Sequence, residues 1–339
     1  MNTITSTPPS TLAPSTLELL FRRKASHSLP GKRREDFNLA LVLEGGGMRG
    51  CVAAGMGAAL SRLRYVNCFD QVIATSSGAM KAPYFLSNQA VAHAPVYATD
   101  IAKGRFISIW RAFHGNRPIM DLDYLLRHIL VNIRPLEFGR IAKRGIPLHL
   151  TATIADTGQA VLLSDFKDQE ELFTAMRASA LIPGVGGHAP VNFRGMNLID
   201  GGYSAFLPEK LARQNGATHL LMLTNLPAES YHRKPDRNHV RTVGSALASL
   251  SSPVAESFLT NHERDNEQLA RIRSGEDPTI GHCEMPEDGP HIDTLCRKPK
   301  VIWQGLEAGF KAMCRYMDQP NRQIPRQWKN LQKAKQKPG

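Results

Sequence analysis

An apolar run that ends in three consecutive glycines constrains this chain more than any other feature. Residues 37–44 read Phe-Asn-Leu-Ala-Leu-Val-Leu-Glu, and Gly45-Gly46-Gly47 follow directly. A short apolar run bounded by turn residues reads as a buried strand, and the stretch from about Met48 to Arg64 predicts a helix behind it. A second run, Val72 to Thr75, leads through Ser76-Ser77-Gly78 into another helical stretch, Ala79 to Leu86. Two strand–turn–helix units in succession predict an open, mostly parallel α/β sheet.

Farther along, residues 85–145 lean helical and have no clear period. Strands are expected at Pro147–Ile154 and Ala160–Leu163, joined by the turn Asp156-Thr157-Gly158. A helix over Glu170–Ser179, a strand near Met196–Ile199, a helix from Pro208 to Gln214 and a strand at His219–Thr224 follow. The remainder from about Val240 reads as mainly helical, with a short strand near Thr279–Glu284.

At 339 residues and 42% hydrophobic composition the chain can bury one large core. No stretch approaches the ~18 apolar residues a membrane span needs, and the start lacks the pattern of a secretory signal, so a cytoplasmic location is expected. Five scattered cysteines, never spaced C-x-x-C, are expected to be reduced and mostly buried. No H-E-x-x-H or other metal pattern is present in the sequence.

The net charge of +12 is concentrated at the ends: residues 1–36 carry +3 and residues 320–339 carry +6, leaving +3 between. That distribution speaks against a nucleic-acid groove in the folded body. Residues 1–36 and 317–339 therefore read as basic tails flanking a domain over 37–316. Leu17, Leu19, Leu20 and Phe21 precede Arg22-Arg23-Lys24, while Ile324, Trp328 and Leu331 interleave with basic residues, so the tails could rest peripherally on an anionic membrane. Solvated, flexible tails are the simpler alternative.

Gly45, Gly47 and Gly50 also spell G-x-G-x-x-G, which raises nucleotide binding. That reading needs an acid at the end of the next strand, yet Asp70 precedes the strand and the strand ends in Thr75-Ser76. Ala74-Thr75-Ser76-Ser77-Gly78 is instead one small residue from G-x-S-x-G, the sharp turn that exposes a nucleophilic serine. The unobstructed amides of Gly45, Gly46 and Gly47, with Arg49 nearby, suit the oxyanion of an acyl-transfer transition state.

Glu44-Gly45-Gly46-Gly47-Met48-Arg49-Gly50, Ala74-Thr75-Ser76-Ser77-Gly78 and Asp200-Gly201-Gly202 resemble, in order, the three signatures of the patatin-like phospholipases. Ala74 stands where the pattern has glycine. The resemblance spans about Leu39 to Thr224 and implies a three-layer patatin-like fold, a mostly parallel central sheet flanked by helices. It implies a Ser–Asp dyad in which Ser76 is the nucleophile and Asp200 the proton acceptor. Gly45, Gly46 and Gly47 would form the oxyanion hole with Arg49 in support, and Ala74, Gly78, Gly201 and Gly202 would shape the motifs. The implied activity is hydrolysis of lipid carboxylic esters by a phospholipase A or lysophospholipase type of enzyme, with no cofactor and no metal.

Three rivals remain at this level. An ordinary α/β-hydrolase would place a histidine after the acid, with His219, His232, His239 and His262 as candidates; His188 reads as loop structure. A catalytically weak relative could serve as a membrane-surface binding module. The Gly45–Gly50 loop could bind a nucleotide.

Overall fold

The computed structural model describes residues 13–102, 104–113, 117–227, 247 and 252–334. Its centre is an eight-stranded sheet of β1 (Leu39–Leu43), β2 (Gln71–Thr75), β3 (Leu148–Ile154), β4 (Ala160–Leu163), β5 (Val191–Phe193), β6 (Met196–Asp200), β7 (His219–Leu223) and β8 (Ile280–Cys283). The strand order is β5-β6-β3-β2-β1-β7-β8, with β4 paired to β3. β3, β2, β1, β7 and β8 run parallel to one another, whereas β4 and β6 pair antiparallel to β3 and β5 antiparallel to β6. The sheet is therefore the mostly parallel α/β sheet expected.

The main helices are α1 (Thr16–Ala25), α2 (Cys51–Arg62), α3 (Ser77–Leu86), α4 (Gln169–Ala180), α5 (Ser252–Ser274), α6 (Pro299–Tyr316) and α7 (Arg326–Ala334). Every residue of β1, β2 and β7 is buried, as it must be in strands covered on both faces. Leu39, Leu41 and Leu43 join the cluster containing α2, α3 and α6. The alternate residues Ala40 and Val42 join Leu220, Met222, Leu269 and Ile272 on the opposite face. α2 and α6 meet almost backbone to backbone: a β-carbon at Gly309 would lie 2.0 Å from the Val52 carbonyl oxygen.

Several boundaries differ from expectation. The helix after the glycines begins as a 3-10 turn at Gly47–Gly50. Residues 85–145 hold short and wide helical turns, including Tyr97–Ile101 and Tyr124–Ile133, together with a bridge between Ile107 and Met120. β5 was not expected, because Val191-Asn192-Phe193 is too short to show a period.

The tails need correction. Within 1–36, α1 is docked: Leu19 and Leu20 are buried, and Arg23 pairs with Glu35 at 2.8 Å and Asp70 at 2.6 Å. Within 317–339, Trp328 of α7 is wholly buried against Trp303 and Phe310, and its indole donates to the Val91 carbonyl at 2.7 Å. Leu19, Leu20, Ile324 and Trp328 are thus spent on the protein's own core, where burying such a side chain contributes about 1.5–3 kcal/mol, whereas Phe21 stays exposed. Residues 1–12 and 335–339 lie outside the described residues.

Candidate active site

Register brings the serine and the aspartate together. On β3, Thr151 pairs with Thr75 and the next residue, Ala152, pairs with Asp200. Because β2 runs parallel to β3 and β6 antiparallel, the last residues of β2 and β6 meet at neighbouring rungs of one strand. The chain then turns from β2 into α3 through Ser76, whose φ of 53° and ψ of −120° lie in a region that costs a non-glycine residue about 1–3 kcal/mol. Ser76 Oγ donates to Asp200 Oδ2 at 2.6 Å. Ala74, the departure from the serine signature, is fully buried in β2 and the turn forms around it.

Surrounding contacts hold this geometry. The Ser76 amide donates to Ser179 Oγ at 3.0 Å, so α4 pins the nucleophile. The Asp200 amide donates to Leu181 O at 2.9 Å, Thr153 Oγ1 donates to Asp200 O at 2.8 Å, and the Gly202 amide donates to Asp200 Oδ1 at 2.7 Å. A β-carbon at Gly78 would lie 2.5 Å from the Leu43 carbonyl oxygen, so glycine there lets α3 start against β1. Burial raises the Asp200 carboxyl to about 6, against the opposing effects of the hydrogen bonds from Ser76 and Gly202.

The glycine loop arches over the serine. A β-carbon at Gly45 would stand 2.9 Å from Ser76 Cβ, and Gly46 and Gly47 adopt φ of 119° and 58°, open chiefly to glycine. Asn225 Nδ2 donates to Gly45 O at 2.6 Å, and the Met48 amide donates to Thr294 O at 2.9 Å. The Asn225 amide also donates to the buried Glu44 carboxylate. Arg49 folds back over Gly46, its Nε 3.2 Å from where a β-carbon would be. The loop closes on the serine instead of facing an acidic strand end, which is not the arrangement of a ribose site.

Beside Ser76 lies a narrow cavity of about 40 Å³, walled mainly by apolar side chains including Met80, Val96, Phe106, Met120, Leu125 and Ile182. Its apolar wall beside a hydroxyl has the character of a small-ligand pocket, drawn close in this conformation. Ala178-Ser179-Ala180 resembles the segment that precedes the aspartate strand in the patatin-like family, and Phe106 resembles a residue of its bacterial members, but the contact of Ser179 with the serine amide and the roles of Asn225 and Thr294 had no local signal, because each joins segments distant in the chain. Lys81 is buried below the loop without a hydrogen-bond partner among the described residues, and burial lowers it to about 7. His93, also lining the cavity, stacks on Tyr84 at 3.5 Å, and burial lowers it to about 3.

Of the alternative bases, His219 is the first residue of β7, at the end of the sheet opposite Ser76, and its Nε2 lies 2.9 Å from Pro14 O. His188 is exposed. His232 and His239, and the side chain of His262, lie outside the described residues. All five cysteines are free and buried, as expected. No metal-holding cluster occurs among the described residues, and no helix there is long and apolar enough to cross a membrane.

A patatin-like phospholipase profile matches residues 41–213, just over half of the chain. The chain belongs to the patatin-like phospholipase family. It is 30% identical to the uncharacterized protein YjjU of Escherichia coli (strain K12) over 57% of this chain and 54% of that one. It is 35% identical to human 1-acylglycerol-3-phosphate O-acyltransferase PNPLA3 over 32% of this chain and 21% of the relative. Human omega-hydroxyceramide transacylase is 29% identical over 27% and 17% of the two chains. The chain thus matches about half of the YjjU sequence and about a fifth of PNPLA3. Among solved structures, VipD from Legionella pneumophila aligns with 87% of this chain and 72% of its own, at 11% identity and a TM-score of 0.39.

Proposed function

We propose that this protein hydrolyses carboxylic esters of lipids through an acyl-enzyme on Ser76. Ser76 Oγ attacks the ester carbonyl carbon while its proton passes to Asp200 Oδ2. The amides of Gly45, Gly46 and Gly47 hold the oxyanion, with the guanidinium of Arg49 adding positive charge and the N-terminus of α3 its dipole. Collapse breaks the ester C–O bond, and the leaving alkoxide takes the proton from Asp200. Water then gives a proton to Asp200 and attacks the acyl carbon, and the released serine oxygen recovers that proton as the carboxylic acid departs. The acyl chain of the substrate enters along the apolar side chains of the cavity, which must part to admit it.

The observation that most supports this reading is the 2.6 Å Ser76–Asp200 hydrogen bond at the mouth of an apolar cavity. An unperturbed aspartate is a weak base for serine, whereas one raised to about 6 is a better one that is still largely ionised at neutral pH. Activity on p-nitrophenyl butyrate and a fluorogenic phospholipid should rise through pH about 6 to a plateau. Ser76→Ala and Asp200→Asn should each lose about 10³-fold or more in kcat with folding intact. Undiminished turnover in either variant would sink the dyad.

The names of PNPLA3 and the ceramide relative favour a second fate for the same acyl-enzyme, transfer to an alcohol in place of water. Adding lysophosphatidic acid or another lipid alcohol to the assay separates the two by product. A catalytically weak, membrane-binding protein would show neither product.

A further inference from the structure

We propose that Ile109 and Trp110 form an interfacial wedge that seats the mouth of the acyl cavity on an anionic phospholipid surface. The inference rests on the lipid-ester reading and adds the surface by which the substrate phase is met.

The wedge is built from a short ribbon over the site. Ile107 bridges Met120 in antiparallel fashion, the Ser108 amide donates to Ile119 O, and the Asp121 amide donates to Phe106 O. Phe106 and Met120 turn inward and line the cavity. The chain then delivers Ile109 and Trp110 outward, 54% and 73% exposed, the two most exposed large apolar side chains among the described residues. Side by side, the two make a contiguous exposed apolar patch, the kind of surface by which proteins meet partners or membranes, and tryptophan favours the headgroup level of a bilayer, where its ring is half apolar and half polar.

Charge around the wedge complements an anionic surface. Arg105 and Arg117 are exposed on the two arms of the ribbon. Arg297, also exposed, approaches Gly104, its Nη2 2.9 Å from where a β-carbon would stand. Arg297 follows three residues after Thr294, whose carbonyl holds the oxyanion loop, so this positive charge belongs to the same rim. Asp121 pairs with Arg111 at 3.0 Å and Asp123 with Arg177, while Asp293 on the rim lies exposed beside His291. A water-soluble partner would need no exposed apolar pair beside an apolar cavity. A bilayer offers both the apolar depth for Ile109 and Trp110 and the anionic plane for the arginines.

The test uses the full chain and vesicles of phosphatidylcholine with or without phosphatidylglycerol. Trp303 and Trp328 are buried, so the change in tryptophan emission reports Trp110. Binding to phosphatidylglycerol vesicles should shift emission to the blue, and brominated acyl chains should quench it. Ile109→Ser with Trp110→Ser should weaken vesicle binding about 10-fold or more, with hydrolysis of vesicle lipid falling in step. Arg105→Gln with Arg117→Gln should remove the preference for anionic vesicles and flatten the salt dependence. Both double variants should hydrolyse p-nitrophenyl butyrate as the wild type does. Wild-type vesicle binding by the Ile109/Trp110 variant would overturn the proposal. So would a parallel loss of soluble-ester activity, or a dimer of the wild type that the variant dissolves without change in vesicle binding. Failure of the wild type to cleave the soluble ester would instead strike the hydrolase reading, while the vesicle arms would still decide the wedge.

Discussion

Asp200 carries its negative charge in a place that disfavours it. Burial raises its carboxyl from an ordinary 3.8 to about 6, so between those values the folded chain holds a proton that the unfolded chain has lost. Stability is therefore greatest below about 4 and falls as pH rises through 6, a cost of about 3 kcal/mol at most. Asp200→Asn should raise the unfolding free energy by about 1–3 kcal/mol at pH 8, with the gain vanishing near pH 4. Urea titrations at the two pH values decide it, and an equal gain at both would contradict the linkage. Lys81 works in the other direction. Burial lowers its ammonium from 10.5 to about 7, so the unfolded chain binds the extra proton across that window and stability rises with pH. Above about 9 the buried thiols, which burial pushes up from 9.0, reverse the trend. Between pH 7 and 9 the wild type should gain up to about 1.4 kcal/mol per pH unit relative to Lys81→Met; parallel stability curves would remove Lys81 as the source.

At the scale of elements, the site depends on how closely backbones approach. β6 ends at Asp200, and a β-carbon on Gly201 would stand 2.3 Å from Thr151 Oγ1 and 2.5 Å from the Thr151 carbonyl oxygen of β3. Gly201→Ala must push β6 off β3, at about 1–3 kcal/mol, and move Asp200 with it. Activity should fall about 10²-fold, since misplacement near 1 Å suffices for that. Gly139→Ala, with nothing within 4 Å of its β-position in the helix Phe138–Arg144, should leave activity unchanged and stability equal or slightly higher. Thermal melts and ester turnover measured side by side would refute the reading if the two variants behaved alike. These contacts also show where sequence patterns stop. The β1 and β2 runs with their glycine and serine turns were legible because two-sided burial demands continuous apolar residues. β5 and the ribbon of Ile107 and Met120 were not, because a few residues carry no period.

For the whole molecule, the ends of the chain are structural. Arg23 is 2% exposed, pairs with Glu35 and Asp70, and donates to the carbonyls of Cys68 and Phe37, so α1 ties the start of β1 to the turn before β2. Deleting residues 1–26 would leave Asp70 with Arg33 and the Leu39 amide and uncover the sites of Leu19 and Leu20. Breaking a buried ion pair from one side costs about 3–5 kcal/mol, which for a chain of this size is a fall in Tm of roughly 10 °C. Calorimetry of the truncated chain checks it; an unchanged Tm would return α1 to the status of a tail. Vesicle binding should survive the truncation in whatever fraction stays folded, because the proposed wedge lies elsewhere.

What the sequence by itself determined is a framework: the mostly parallel α/β sheet, the glycine loop, the family it belongs to, and Ser76 and Asp200 as the candidates that the structure brings together. Each is encoded within a few consecutive residues, as an apolar run, a required positive φ or a steric need for glycine, so each can be read without knowing the rest of the chain. Tertiary structure alone decided which partners those groups have. It set Ser179 against the serine amide, Asn225 and Thr294 against the loop, and Lys81 in the interior. It also buried Leu19, Leu20, Ile324 and Trp328 of the two expected tails and left Ile109 and Trp110 exposed. Pairings across 100 residues or more follow from the register of strands and the packing of helices, and local composition holds no record of either.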